Sequence, residues 1–247
     1  MNKEIIKNER ENLTNSEKFA EELTTVELNN DSQVVTSKEV EINIPVLEKE
    51  VGIKKAESRR NRTAALYPYL NEFGDILYEI ERRTPGRGEL FLARHLNKET
   101  GKYDYKIPDD VEIVPYNLPN VIKAIEEGKA IWLTEGESKT DTLNQIGFVS
   151  TTCAFKETDK WYKSYNKYMK GSTKIFIVVD NDTKSAEFAD NTAQTLLEDL
   201  EDTTDVYKIY LRDIYQDIKI GGDIDDLIAA IGKERTIETL KTIEESY

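Results

Sequence analysis

The sequence predicts an α/β protein: a parallel sheet flanked by helices, preceded by a small β-rich subdomain and a polar N-terminal arm. Three features predict it. Residues 129–247 alternate apolar strand-like runs with amphipathic helix-like runs over short connections, which calls for right-handed crossovers between parallel strands. Residues 59–128 hold short aromatic and β-branched runs cut by Gly, Pro and Asn, the pattern of antiparallel hairpins. Residues 1–58 are rich in Glu, Asn, Lys and Thr, with Phe19 the sole aromatic. Such a stretch buries little apolar surface to offset chain entropy, so a disordered arm is expected.

Within the arm, a short helix over Asn15–Leu23 with Ser16 as its cap and an edge strand through Val40, Ile42 and Ile44 are the only local signals. The β-rich subdomain reads as strands at Leu66–Leu70, Asp75–Glu81, Glu89–His95 and Lys102–Ile107, with turns at Thr84–Gly88 and Asn97–Gly101. Tyr116-Asn117-Leu118-Pro119 then leads into a helix over Asn120–Gly128, where Val121, Ile122 and Ile125 share a face. The second half predicts a strand at Ala130–Thr134, a helix over Ser138–Ile146 stopped by Gly147, and a strand at Phe148–Thr151. An aromatic-studded helix over Asp159–Met169, a strand at Lys174–Val179, a helix over Ser185–Leu200 and a strand at Val206–Leu211 follow.

Composition removes several chemistries. Cys153 is the one cysteine and His95 the one histidine, so the chain has no intrachain disulfide and no zinc site of four Cys or His ligands. Ser-His-Asp or Cys-His catalysis would need His95, which sits in the strand-like Leu90–Leu96 run and reads as structural or solvent-facing. Cys153 reads as a small buried group, because no flanking Lys, Arg or Cys lowers its pKa. Chemistry is left to carboxylates, Lys, Arg, Tyr or hydroxyls. No run nears the roughly 18 apolar residues of a membrane span, and residues 1–11 lack the apolar core of a secretory signal, so a cytoplasmic location without membrane partners is expected.

The formal charge is −14, from 34 Lys and Arg against 48 Asp and Glu, and residues 131–247 carry 14 basic and 23 acidic side chains. Non-specific gripping of nucleic acid by the whole surface is disfavoured, since that is the work of Lys and Arg. The acidic half is either well solvated or gathers carboxylates around a cation. Three acidic groups favour the second option: Glu135-Gly136-Glu137 after the first parallel strand, Asp180-Asn181-Asp182 after the third, and Gly221-Gly222-Asp223-Ile224-Asp225-Asp226 beyond the fourth. All leave the sheet at its carboxyl edge, where ligands of such sheets bind. Crowded carboxylates there repel unless a cation joins them, and Mg²⁺ or Mn²⁺ suits oxygen ligands. Taken singly each signal is unspecific: Asp-x-Asp recurs in turns, and Asp223–Asp226 also reads as a capped helix N-terminus.

The order Glu-Gly, Asp-x-Asp and later Asp resembles the TOPRIM domain of DNA primases, type IA and II topoisomerases and some nucleases. The resemblance is closest to phage and mobile-element primases. It extends to Tyr116-Asn117-Leu118-Pro119, Asp141-Thr142-Leu143, Trp161, Tyr165, and Asp223-Ile224-Asp225-Asp226-Leu227-Ile228, and to Tyr67–Gly74 and Phe91–Arg94 upstream, covering about residues 62–231. It implies a primase-like nucleotidyltransferase making short RNA primers on single-stranded DNA from nucleoside triphosphates. Asp180, Asp182 and Asp223 would hold Mg²⁺ or Mn²⁺, with Glu135 as general acid or base or as a further ligand. Glu135, Asp180 and Asp182 would be the catalytic set. Arg82, Arg83, Arg94 and Lys102 would grip template or nucleotide phosphates, and so would Lys139, which stands where the family more often has an acid.

The chain departs from the family in reading Thr183-Lys184-Ser185 after Asp182, where Ala-Gly is usual, and Phe188-Ala189 in place of His-Ala. It has neither a Cys-rich zinc ribbon nor a Gly-rich phosphate loop ending in Gly-Lys-Ser/Thr. A primase of this kind would take its template reader or helicase in trans, or from a longer protein. The alternatives are a TOPRIM metal-dependent nuclease and a non-catalytic accessory protein of a mobile element. Trp132 reads as core, and for Trp161, Tyr162, Tyr165 and Tyr168 packing on the sheet takes precedence over stacking on bases.

Overall fold

The computed structural model describes residues 63–84, 89–153 and 160–247. The polar arm over 1–58, its Asn15–Leu23 helix, the strand at Val40–Ile44 and the Pro85–Gly88 turn lie outside the described residues.

Alternation of side chains builds the first sheet. Strands β1 (Thr63–Leu70), β2 (Ile76–Arg83), β3 (Leu90–Asn97) and β4 (Lys102–Asp104) form an antiparallel meander in the order β1-β2-β3-β4. Tyr69 pairs with Tyr78 across β1 and β2, and the two buried rings stack with centroids 4.7 Å apart. With Tyr67, Ile80, Val114, Tyr116 and Leu118 they form the core of this half. Glu79 and Glu81 occupy the opposite register positions of β2 and meet arginines there: Arg94 Nε to Glu79 at 2.9 Å and Arg83 to Glu81 at 2.7 Å. The last strand ends at Asp104, short of the expected Ile107, because Ile107 turns into the core just ahead of Pro108.

Helix α1 (Leu118–Glu126) starts two residues earlier than the sequence suggests, with Pro119 in its first turn, where a missing N–H costs nothing. Asn117 precedes it in a left-handed conformation (φ 61°) and donates its amide to the Ser150 carbonyl at 3.0 Å.

The second sheet is parallel throughout, in the order β6-β5-β7-β8: β5 (Ile131–Leu133), β6 (Ser150–Thr151), β7 (Lys174–Val179) and β8 (Asp205–Tyr210). It is covered on both faces. Ile131, Leu133, Ile175, Ile177 and Val179 pack toward α1 and α4 (Thr183–Leu200), while Trp132, Phe176, Val178 and Ile209 pack toward α2 (Glu137–Gln145), α6 (Ile224–Ile231) and α7 (Lys233–Ser246). Trp132 is fully buried, and its indole N–H donates to Glu244 on α7 at 2.6 Å, tying the last helix to the sheet.

The helix expected over Asp159–Met169 is broken. A 3₁₀ turn at Lys163–Tyr165 and the single turn α3 (Asn166–Met169) stand in its place. Trp161 is buried and donates its indole N–H to Asn166 Oδ1 at 2.9 Å, and Tyr162 is extended, so the chain enters the core here before it coils. Trp161 and Tyr165 are thereby core residues, as packing required, and Tyr162 and Tyr168 are half-buried. A short helix, α5 (Leu211–Ile214), follows β8 directly. Among the described residues no helix is long and apolar enough to cross a membrane.

Candidate active site at the carboxyl edge

Each acidic group reaches the same rim by a different local device. Glu135 stands two residues past β5, in a turn that Gly136 makes with φ 92°, a conformation L side chains rarely adopt. Three hydroxyls fix the turn: the Thr134 and Thr140 oxygens are 2.6 Å apart, Thr140 donates to the Gly136 carbonyl at 3.1 Å, and the Gly136 N–H donates to Thr152 Oγ1 at 3.0 Å. Asp180 follows β7 directly and is buried, its N–H donating to Ser185 Oγ at 2.9 Å.

Asp223 comes from farther away, and Asn181 retrieves it. The Asn181 side-chain amide donates to the carbonyls of Ile218 (2.9 Å) and Lys219 (3.1 Å). Its backbone exchanges two further hydrogen bonds, N–H to Gly222 O at 2.9 Å and O from Gly221 N–H at 2.8 Å. Gly222 is required at this seam, since a Cβ there would lie 2.7 Å from Ile218 Cγ1 and 2.8 Å from Lys219 O. Asp223 then caps α6, accepting the Asp225 and Asp226 amides, while Asp226 returns the bond to the Asp223 N–H.

The charges meet on Lys139. Its ammonium donates to Asp180 Oδ2 in an ion pair of which both partners are largely buried. Burial pulls this ammonium down, but Asp180, Glu135 and Asp223 more than offset it, and Lys139 is held above its usual range. Burial pushes the Asp180 carboxyl up to about 6; Lys139 opposes the rise, and repulsion from Glu135 and Asp223 adds to it. Glu135, Lys139, Asp180 and Asp223 thus form one electrostatic group. Asp182 is not among the charges acting on Lys139 and Asp180: its carboxylate accepts the Ser185 N–H at 2.8 Å as the N-cap of α4.

That cleft has a volume of about 320 Å³ and opens between the two sheets. Glu135, Gly136, Lys139 and Asp223 line it from the parallel side, Arg82 and Phe91 from the antiparallel side. Of the five basic residues singled out in the sequence, the cleft therefore takes Arg82, which also pairs with Glu89, and Lys139. Arg83 and Arg94 are held by Glu81 and Glu79, and Lys102 lies on β4 outside the lining.

Sequence reasoning passed over Glu137. It is buried at the start of α2 and accepts the Tyr69 hydroxyl at 2.8 Å, bridging the two sheets. Burial pushes its carboxyl up against the lowering effect of that hydrogen bond. A second bridge runs from the Tyr116 hydroxyl to Asp141 Oδ1 at 3.0 Å. The Glu-Gly-Glu spelling and the alternating Tyr67 and Tyr69 were the available signals.

The donor set is all oxygen and already holds one cation, the Lys139 ammonium, so its chemistry fits a hard divalent ion. As the side chains stand, no three carboxylate, His or Cys groups among the described residues close on a single ion.

The fold is shared with solved bacterial primase cores. A DNA primase domain from Pseudomonas aeruginosa matches with a TM-score of 0.55 at 17% identity, over 76% of this chain and 55% of that one. The E. coli primase catalytic core gives 0.55 at 15% identity, over 78% and 56%. The zinc-binding and RNA polymerase domains of Aquifex aeolicus primase give 0.52 at 20% identity, over 70% and 39%. The chain spans about half the length of the first two. No described protein family and no curated protein matches the sequence. The likeness is one of architecture, a parallel sheet flanked by helices with an antiparallel β subdomain ahead of it.

Proposed function

We propose that this chain is the catalytic core of a primase-type nucleotidyltransferase, joining ribonucleotides into short primers on single-stranded DNA with Mg²⁺ or Mn²⁺. The acidic cleft carries this reading, because Glu135 and Asp223 line it together with Lys139, whose ammonium holds buried Asp180, in a fold shared with primase cores. Glu135, Asp180 and Asp223 are the groups that would hold the metal. When bound, a divalent ion neutralises triphosphate charge and aligns the in-line displacement.

The chain's own groups have separate work. Glu135, in the open cleft, would take the proton of the attacking hydroxyl or else serve as a further metal ligand. Arg82 faces it across the cleft and can release Glu89 for a phosphate, since that pair is partly exposed and held by little. Asp182 and Asn181 act through the backbone, capping α4 and stitching in the loop that delivers Asp223. Template recognition and unwinding belong to a partner in trans or to further protein.

The test is primer synthesis on single-stranded DNA with labelled ribonucleotides and Mg²⁺ or Mn²⁺, comparing wild type with Glu135→Gln and Asp180→Ala and supplying helicase in parallel reactions. Metal-dependent products from wild type and none from either variant support the reading. Template fragments in place of primers would assign a nuclease, and inertness with every metal would assign a non-catalytic role.

A further inference from the structure

We infer that Lys139 is a built-in countercation of the carboxylate centre, competing with divalent metal for Asp180. The inference rests on the metal-dependent reading above and concerns how tightly the centre takes its ion.

The geometry is that of a site with one cation already in place. Lys139 lies on the first turn of α2, four residues after Glu135, and its ammonium bonds Asp180 Oδ2. The lysine side chain is 19% exposed and the aspartate 6%, so solvent does little to screen the pair. Glu135 and Asp223 act on the same ammonium. Three carboxylates with one ammonium leave an excess of two negative charges, where three carboxylates alone would have three. The group is therefore tolerable without metal, and a metal ion must displace the ammonium from Asp180 to gain that oxygen. The displaced head has somewhere to go, because Lys139 lines the cleft and its four-carbon stem is flexible.

Removing the charge should open the centre to metal. Mn²⁺ binding to the full chain, followed by the loss of the free-ion electron paramagnetic resonance signal, compares wild type with Lys139→Gln and Lys139→Arg. We expect Lys139→Gln to bind Mn²⁺ about tenfold or more tightly, as loss of one nearby unit charge implies, and Lys139→Arg to stay near wild type. Thermal unfolding gives a second readout. Without metal Lys139→Gln should melt below wild type, and Mn²⁺ should raise its Tm by more than it raises that of wild type. Should Lys139→Gln fail to fold without metal, Lys139→Gln/Asp180→Asn, which removes both charges, should fold; failure of the double variant too would overturn the inference. Wild type that binds Mn²⁺ beside a Lys139→Gln variant that binds no more tightly overturns the inference and leaves the proposed function standing. Absence of binding in every variant overturns both.

Discussion

Glu135 and Asp180 leave the same sheet edge into different surroundings, and their substitutions should separate accordingly. Glu135 is half-buried at the cleft while Asp180 is buried against Lys139, so Glu135→Gln, which keeps the side chain's shape, should lower the Tm less than Asp180→Ala does. Primer synthesis should fall by about 100-fold or more, the range of a lost proton-transfer group. Asp180 is buried against Lys139, so Asp180→Ala should lower stability as well as primer synthesis. Tyr69 tests the bridge between the sheets. Its hydroxyl is the donor to buried Glu137, so Tyr69→Phe should cost about 1–2 kcal/mol in denaturant unfolding, the size of a buried acceptor left without its donor. A cost near zero would mean that Glu137 finds another donor. At this scale the sequence was most legible in placement: Glu135, Asp180 and Asp223, far apart in the chain, do gather around Lys139. It was least legible where a residue's role depends on its partner: Lys139 on Asp180, Arg94 on Glu79, and Asp182 on the Ser185 amide.

Among the elements, the loop from Ile218 to Gly222 decides whether Asp223 reaches the rim. Gly222→Ala places a methyl group 2.7 Å from Ile218 and 2.8 Å from a backbone carbonyl, so the loop must shift. We expect a stability cost of about 1–3 kcal/mol, typical of overpacking, and weaker Mn²⁺ binding than in wild type, because the shift moves Asp223 from the rim. In the antiparallel sheet, the hydrogen bond from Arg83 and those of Thr63 and Tyr105 hold the Glu81 carboxyl down at about 2, below its usual 4.5. A depressed carboxyl adds stability above its unfolded value and loses it as pH falls through the folded one. Wild type should therefore lose stability between pH 4.5 and 2, and Glu81→Gln should show a shallower acid limb in Tm against pH. The strand and helix alternation of residues 129–247 was readable because its two central strands, Ile131–Leu133 and residues 175–179 of β7, are continuous apolar runs buried on both faces. The Asp159–Met169 segment was not, since its aromatic spacing fits a helix while the burial of Trp161 and its bond to Asn166 pull the chain out of one.

Taken whole, the molecule carries a formal charge of −14, and most of the arginines of its antiparallel sheet are bound to its own glutamates. Affinity of this chain alone for single-stranded DNA should accordingly be low, with a log–log salt slope no steeper than about −2, equivalent to some three phosphate contacts. A markedly steeper slope, measured by fluorescence anisotropy at several salt concentrations, would show a basic track elsewhere. What the architecture does provide is a cleft between a parallel and an antiparallel sheet, with Glu135 and Asp223 on one wall, Arg82 on the other, and buried Asp180 joined to the first wall through Lys139. The measurement that bears most directly on its use is incorporation of labelled ribonucleotides on single-stranded DNA, with a helicase supplied, in Mn²⁺ and in chelator. We expect short products from wild type in Mn²⁺, and none in chelator or from Glu135→Gln. Equal incorporation by wild type and Glu135→Gln, or none by wild type in any metal, would contradict the assignment of this cleft as a polymerising centre.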